Sequence, residues 1–305
     1  MSSMNKAARA SLAKETINIQ IPNILSLNAR ARKGVSQARQ ILGTIDLPKL
    51  PTKTMKHEQQ KSLQITLRHV DTLEAAHGLR QEKGKSRIAV LNMASPLNPG
   101  GGVLRGARAQ EESLCLRSTL YPSLRQEWYR HKPDAIIYTP DVLVFKSTGH
   151  MRDMLKPEEQ FYVDVISAAA PRHPEVVVSN DGVQSYSDPK DEEMMALKIK
   201  YIMRTAAKMS ATHVVLGALG CGAYHNPIKK VASIMRRVLL GTPRSKGPEE
   251  DWEAAGIKEV VFAILDETRE QTVWNGFVEE FRGHDGVVIE DPPQSSILDQ
   301  PRSST

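Results

Sequence analysis

Twice in this chain an apolar run breaks off into a glycine-rich loop that leads straight into a helical pattern. Nothing else in the sequence constrains the fold as much. The first loop follows the run at 86–92 and passes from Asn92 through Gly100, Gly101 and Gly102 to Gln110, Glu111 and Glu112. The second follows the run at 212–217 and reads GALGCGAYHNP, from Gly217 to Pro227. A buried strand, a backbone free to approach a ligand, and then a helix make up the repeating unit of an open α/β sheet. In such sheets ligands bind beyond the carboxyl ends of the strands.

The remaining pattern agrees. Strands are predicted at 63–70, 86–92, 135–138, 142–145, 161–167, 212–217 and 260–265, with Pro140 between two short ones. Helices are predicted at 72–79 with Asp71 as cap, from about Gln110, and at 192–209, 227–240 and 268–281. This alternation predicts an α/β chain with a mixed sheet covered on both faces. Residues 1–60 read as a polar N-terminal helical extension ended by Pro48 and Pro51, residues 61–290 as the main α/β domain, and 291–305 as a disordered tail. The stretch 241–253 reads as a surface loop. No internal repeat is visible.

At 305 residues, with 40% apolar and 25% charged residues, the chain is an ordinary globular protein with material for a sizeable core. The formal charge of +6 suits a polyanionic partner and equally suits simple solubility. Its two cysteines, Cys115 and Cys221, form neither a disulfide framework nor a zinc spacing and fit a reducing compartment. No apolar run is long enough to span a bilayer. The first fourteen residues lack the apolar stretch of a secretory signal, and Glu15 speaks against a mitochondrial presequence.

The chemistry concentrates in the loops. Three successive glycines allow very close approach and positive φ. Asn92 and Asn98 both donate and accept, which suits sugar hydroxyls. Glu111 and Glu112 open a helix, where the dipole favours carboxylates, so they also read as plain helix-start residues. In the second loop, Gly217, Gly220 and Gly222 precede a helix for which Asn226 is a good N-cap and Pro227 a good first residue. Backbone N–H groups so arranged can hold a phosphate. Tyr224 fits either packing on a sugar or base or a satisfied core position. Cys221 beside His225 reads as a small packing residue rather than a thiol nucleophile.

Several familiar sites are excluded. Arg105 stands where a dinucleotide fingerprint needs glycine. The stretch 78–86 imitates a phosphate loop but has one residue too many and runs from helix to strand. Neither a G-x-S-x-G elbow nor a zinc motif is present, and no metal or cofactor is expected.

The spacing GGG, seven residues, QEE (Gly100–Gly102, then Gln110–Glu112) resembles the signature of poly(ADP-ribose) glycohydrolases (PARGs). The second loop resembles the diphosphate loop of the microbial branch of that family. The segments at 71–75, 138–145 and 164–169 are similar too, and the likeness spans about 25–285. The resemblance implies a macrodomain-like three-layer αβα sandwich and a hydrolase that degrades poly(ADP-ribose) in the DNA damage response. It implies Glu112 as catalytic acid/base and Glu111 as the residue holding the ribose across the scissile bond. Asn98, Gly100, Gly101, Gly102 and Gln110 would contact ribose or diphosphate, and Gly220, Cys221, Gly222, Ala223 and Tyr224 would line the diphosphate. Tyrosine at 224 departs mildly from the phenylalanine often found there.

Cleavage of a ribose–ribose O-glycosidic bond passes through an oxocarbenium-like state, and the leaving oxygen needs a proton. Glu112, with a pKa raised by burial and by its neighbour, would supply it. Adjacent glutamates cannot easily flank opposite faces of one sugar, so Glu111 is assigned an orienting role. Exo cleavage, a monomer, a nuclear or cytoplasmic location, and contact with ADP-ribosylated proteins complete this expectation. Two competing readings are a non-catalytic ADP-ribose reader, which would have no need of Glu112, and a basic protein whose N-terminal helix contacts nucleic acid.

Overall fold

The computed structural model describes residues 4–52, 63–147, 153–242 and 247–290. Its strands are β1 (Arg39–Leu42), β2 (Gln64–Arg68), β3 (Ile88–Met93), β4 (Ala135–Val144), β5 (Phe161–Ala168), β6 (Val176–Val178), β7 (Gln184–Tyr186), β8 (His213–Leu216), β9 (Glu259–Ala263) and β10 (Val287–Glu290). The helices are α1 (Lys6–Glu15), α2 (Ile21–Leu27), α3 (Ala29–Ser36), the single turn α4 (Gly43–Asp46), α5 (Thr72–Lys83), α6 (Gln110–Arg117), α7 (Pro189–Lys208), α8 (Ile228–Leu240) and α9 (Thr272–Phe281).

Eight strands form one sheet in the order β1-β4-β5-β3-β8-β9-β2-β10, and β6 and β7 form a separate hairpin. The pairs β1–β4 and β4–β5 are antiparallel; every pair from β5 to β10 is parallel. Strand β3 lies at the centre and is apolar on both faces. Ala89 and Leu91 enter the core shared with α7, α8 and α9, while Ile88 and Val90 enter the core shared with α5 and α6. A strand covered on both faces reads as a continuous apolar run, which explains why 86–92 is conspicuous in the sequence. Helix α8 buries Val231, Met235, Val238 and Leu239, a stripe at helical spacing. The result is the three-layer αβα sandwich with a mixed sheet.

Several expectations need correction. Residues 135–144 form one strand, not two: the chain absorbs Pro140 and Asp141 as an irregularity between Thr139 and Val142, with φ +49 at Asp141. Proline cannot donate to a ladder, and a bulge accommodates it without ending the strand. The N-terminal stretch is helical over 6–36, but Arg39–Leu42 then pairs with β4 as the edge strand. Four residues, one of them buried, are too few to show a period. The segment 241–253 is not wholly a surface loop, because Glu250, Asp251 and Trp252 are buried. Strand β10 and the β6–β7 hairpin had no sequence expectation. The expected disordered tail at 291–305 lies outside the described residues.

Candidate active site

Strands β3 and β8 are parallel neighbours, so their carboxyl ends lie side by side. The two glycine loops therefore leave the sheet at one place. Met93, at the end of β3, lies 3.3 Å from where a Cβ on Gly217 would sit.

In the first loop all three glycines are required. Gly100 and Gly101 have φ of +64 and +60. A Cβ on Gly100 would lie 2.8 Å from the Tyr121 ring, and one on Gly102 would lie 2.6 Å from the Ala107 methyl. At Gly101 it would meet Glu112 Oε1 at 2.5 Å and Glu111 Oε2 at 3.0 Å. Both carboxylates thus converge on Gly101. Helix α6 has no side-chain cap, and the glutamates turn away from its N-terminus toward the loop. The Ser95 N–H donates to Glu111 Oε2 at 2.7 Å, and the Gly102 N–H donates to Glu112 Oε1 at 2.7 Å. Reading the pair as plain helix-start residues does not account for this geometry.

Glu111 is 3% exposed, and burial pushes its carboxyl up to about 8 against the pull of its hydrogen bonds from Ser95 and Asn92. At neutral pH it carries a proton. Asn92, on β3 opposite Ser167 of β5, donates to Ser167 Oγ at 3.0 Å and to Glu111 Oε1 at 3.4 Å. Two buried oxygens at this corner have no protein partner among the described residues, Asn92 Oδ1 and Glu112 Oε2. Buried oxygens are rarely left so.

The second loop is built differently. The Cys221, His225 and Asn226 N–H groups close turns on Ala218, Gly222 and Gly220. Those of Gly222, Ala223 and Tyr224 enter none of these turns, and Gly222 and Ala223 are exposed. Asn226 is not the helix cap. Its amide donates to the Pro171 and Gly220 carbonyls at 2.8 and 3.1 Å and accepts from Tyr186 at 2.9 Å, while Pro227 takes the cap position. The Tyr224 hydroxyl lies beside Ser95, so one side chain of the second loop reaches the backbone that holds Glu111.

The expected site residues divide into two sets. Glu111, Glu112, Gly100, Gly101 and Gly102 are brought together, and Tyr224 lies near both carboxylates from the second loop, on which Gly222 and Ala223 are exposed. Asn98 is exposed on the first loop, its carbonyl accepting from the Gly101 N–H at 3.0 Å. Gln110 is committed to the frame: its oxygen accepts from the Met93 N–H at 2.9 Å, and its nitrogen donates to the Leu91 carbonyl at 2.6 Å and to Thr72 at 3.2 Å. Its side chain staples α6 to β3. Cys221 points into the core, where burial pushes its thiol up. Ser95 and Ser167 were not foreseen. A serine between alanine and proline, and another inside a strand, carry no pattern to find them by.

Residues 10–147 match the microbial-type PARG catalytic domain, a segment that holds the first loop but not the second. Among solved structures, the chain is similar to the poly(ADP-ribose) glycohydrolase of Thermomonospora curvata, with a TM-score of 0.71 and 24% identity over 90% of this chain and 100% of that one. The same enzyme bound to the inhibitor ADP-HPD gives a TM-score of 0.68 at 23% identity with the same coverage. The poly(ADP-ribose) glycohydrolase of Deinococcus radiodurans in complex with ADP-ribose gives 0.63 at 29% identity, over 83% of this chain and 97% of that one. No curated protein matches the sequence. Among the described residues, no helix is long and apolar enough to cross a membrane.

Proposed function

We propose that this chain, a relative of the microbial-type poly(ADP-ribose) glycohydrolases, hydrolyses the ribose–ribose O-glycosidic bond of poly(ADP-ribose) and releases ADP-ribose. The observation that carries this reading is the convergence of Glu111 and Glu112 on Gly101, with Glu112 Oε2 buried and unpartnered. Glu112 gives its proton to the leaving 2′ oxygen as the bond to the anomeric carbon breaks. It then takes a proton from the water that attacks that carbon, which restores the starting state. The Gly102 N–H holds the other carboxyl oxygen in place throughout. Neutral Glu111 donates a hydrogen bond to the sugar. The N–H groups at Gly222, Ala223 and Tyr224 take the diphosphate, whose charge favours the developing cation.

Cleavage at chain ends, action as a monomer, and a nuclear or cytoplasmic place of work belong to this proposal. Contact with ADP-ribosylated proteins belongs to it as well, and nucleic acid meets only the basic surface. The test is release of free ADP-ribose from poly(ADP-ribose) by wild type beside Glu112→Gln. We expect a loss of about 10² to 10⁴-fold in kcat with ADP-ribose affinity kept. Full activity in the variant would refute the role of Glu112. Binding without release in the wild type would make the protein a reader.

A further inference from the structure

Helix α1 lies against the outside of the first glycine loop, on the turn Val103–Arg105. The contact is close. A Cβ on Gly106 would fall 2.1 Å from the Lys6 carbonyl oxygen and 3.0 Å from the Ala10 nitrogen, and Gly106 has φ +71. Only glycine fits there. Arg9 fastens the joint: its Nε donates to the Gly106 carbonyl at 2.9 Å and its Nη1 to the Met4 carbonyl at 2.5 Å. One turn on, Ala13 enters the core that holds Val103, and Ile17 packs against it. At the end of α1 the chain changes to a π-helical turn, Thr16–Gln20. There the buried Lys146 ammonium donates to the Thr16 hydroxyl at 2.7 Å, and burial pulls it down to about 8.

From this joint a short path leads to the carboxylates. The Gly106 N–H donates to the Val103 carbonyl at 3.0 Å, and the Ala107 N–H to the Gly102 carbonyl at 3.1 Å. Gly102 packs so tightly on Ala107 that a Cβ would sit 2.6 Å from the Ala107 methyl. The Gly102 N–H is the group that holds Glu112 Oε1. Through these contacts α1 is joined to the N–H that holds Glu112.

We propose that α1 is a brace that positions Glu112, with Arg9 as a positioning residue, so that undocking α1 stops bond cleavage while ADP-ribose still binds. The inference rests on the glycohydrolase reading. The second loop makes none of these contacts, and it is the loop assigned to the diphosphate. Binding and cleavage should therefore separate when α1 is released, because misplacement by about 1 Å costs rate far more than affinity.

The experiment uses the full chain and three readouts: kcat on poly(ADP-ribose), calorimetric Kd for ADP-ribose, and the rate of trypsin cleavage after Arg9 and Lys14. Gly106→Ala drives a methyl into the Lys6 carbonyl. We expect faster cleavage within α1, kcat down at least about tenfold, and Kd within about threefold of wild type. Gly84→Ala is the control: its φ is +59, yet its Cβ would meet nothing within 4 Å, so it adds backbone strain without touching α1. It should keep wild-type kcat. Arg9→Ala removes the fastening without a clash and should lower kcat by about three- to tenfold, while Arg9→Lys, which can still donate to Gly106, should recover part of it; this pair decides if Gly106→Ala does not fold. Unchanged kcat in a variant whose α1 is trypsin-sensitive overturns the brace, as does unchanged kcat in Arg9→Ala. A Kd that rises in step with the fall in kcat also overturns it, since that would be general loosening. A wild type that releases no ADP-ribose overturns the glycohydrolase reading itself, an outcome distinct from all of these.

Discussion

At Gly101 of the first loop a Cβ would meet the Glu112 carboxylate at 2.5 Å, whereas at Gly222 of the second it would meet nothing within 4 Å. Both positions are glycine, and both lie where a parallel strand gives way to a helix. In the first loop glycine makes room for the protein's own side chains. The backbone bends left-handed at Gly100 and Gly101 so that two carboxylates and an aromatic ring can close over it. In the second loop the position left open at Gly222 faces outward, with neighbouring N–H groups not used in the turns. Similar composition therefore serves acid placement in one loop and anion capture in the other.

Gly101→Ala tests this contrast most severely. It combines φ +60 with a Cβ inside the contact distance of Glu112 Oε1. The carboxyl must move, and we expect kcat to fall about 10²-fold with the fold intact by circular dichroism. A variant with wild-type kcat would mean that the position of Glu112 does not limit the reaction.

The pH dependence of Glu111 sharpens the same picture. Its carboxyl sits at about 8 against an ordinary 4.5, so between those values the folded protein holds a proton that the unfolded chain has released. Stability therefore falls as pH rises through that window and levels off above it. Glu111→Gln removes the titration, so its Tm should drop less than that of wild type between pH 5 and pH 9. The activity of wild type should fall by about tenfold per pH unit above the Glu111 value, as the proton that binds the sugar is lost. Lys146 and Lys198 are also held near 8 by burial, so only the difference between Glu111→Gln and wild type assigns the limb. A limb that survives unchanged in Glu111→Gln belongs to another group.

Gly222→Ala is the counterpart of Gly101→Ala. Its added methyl points into open space, and Gly222 is not among the glycines with positive φ. We expect kcat near wild type, with any loss falling on KM. A loss as large as that of Gly101→Ala would erase the distinction between the loops.

Much of this was legible in the sequence because the centre of the sheet is buried on both faces. Runs such as that of β3 announce themselves without alternation, and the loops that follow are marked by glycine. The edges were not legible. Strands β1 and β10 are half exposed, and their four residues each show no period. Within the site, the type of Gln110 suggested ligand contact, and its place in the frame, with bonds to β3 and to Thr72 of α5, shows only in the structure. Asn226 followed by proline looks like a cap, and only tertiary contacts with Tyr186 and Pro171 reveal its other use. The docking of α1 on Gly106 was equally hidden, because the contact is between backbones and needs no particular side chain at Lys6.

The smallest effect is expected at the link between the loops. The Tyr224 hydroxyl lies beside Ser95, whose N–H holds Glu111 Oε2 and whose hydroxyl accepts from the Leu97 and Asn98 N–H groups, each at 3.2 Å. Tyr224→Phe removes one of several contacts to a half-buried serine, and the ring keeps its packing. A polar contact of this kind is worth no more than about 0.5–1.5 kcal/mol. If it only tethers the loops, KM should rise by about threefold, kcat should hold, and the alkaline limb assigned to Glu111 should stay in place. Should kcat instead fall more than about tenfold, the hydroxyl takes part in the chemistry and the second loop does more than hold the diphosphate. The clean division of labour between the loops would then have to be given up.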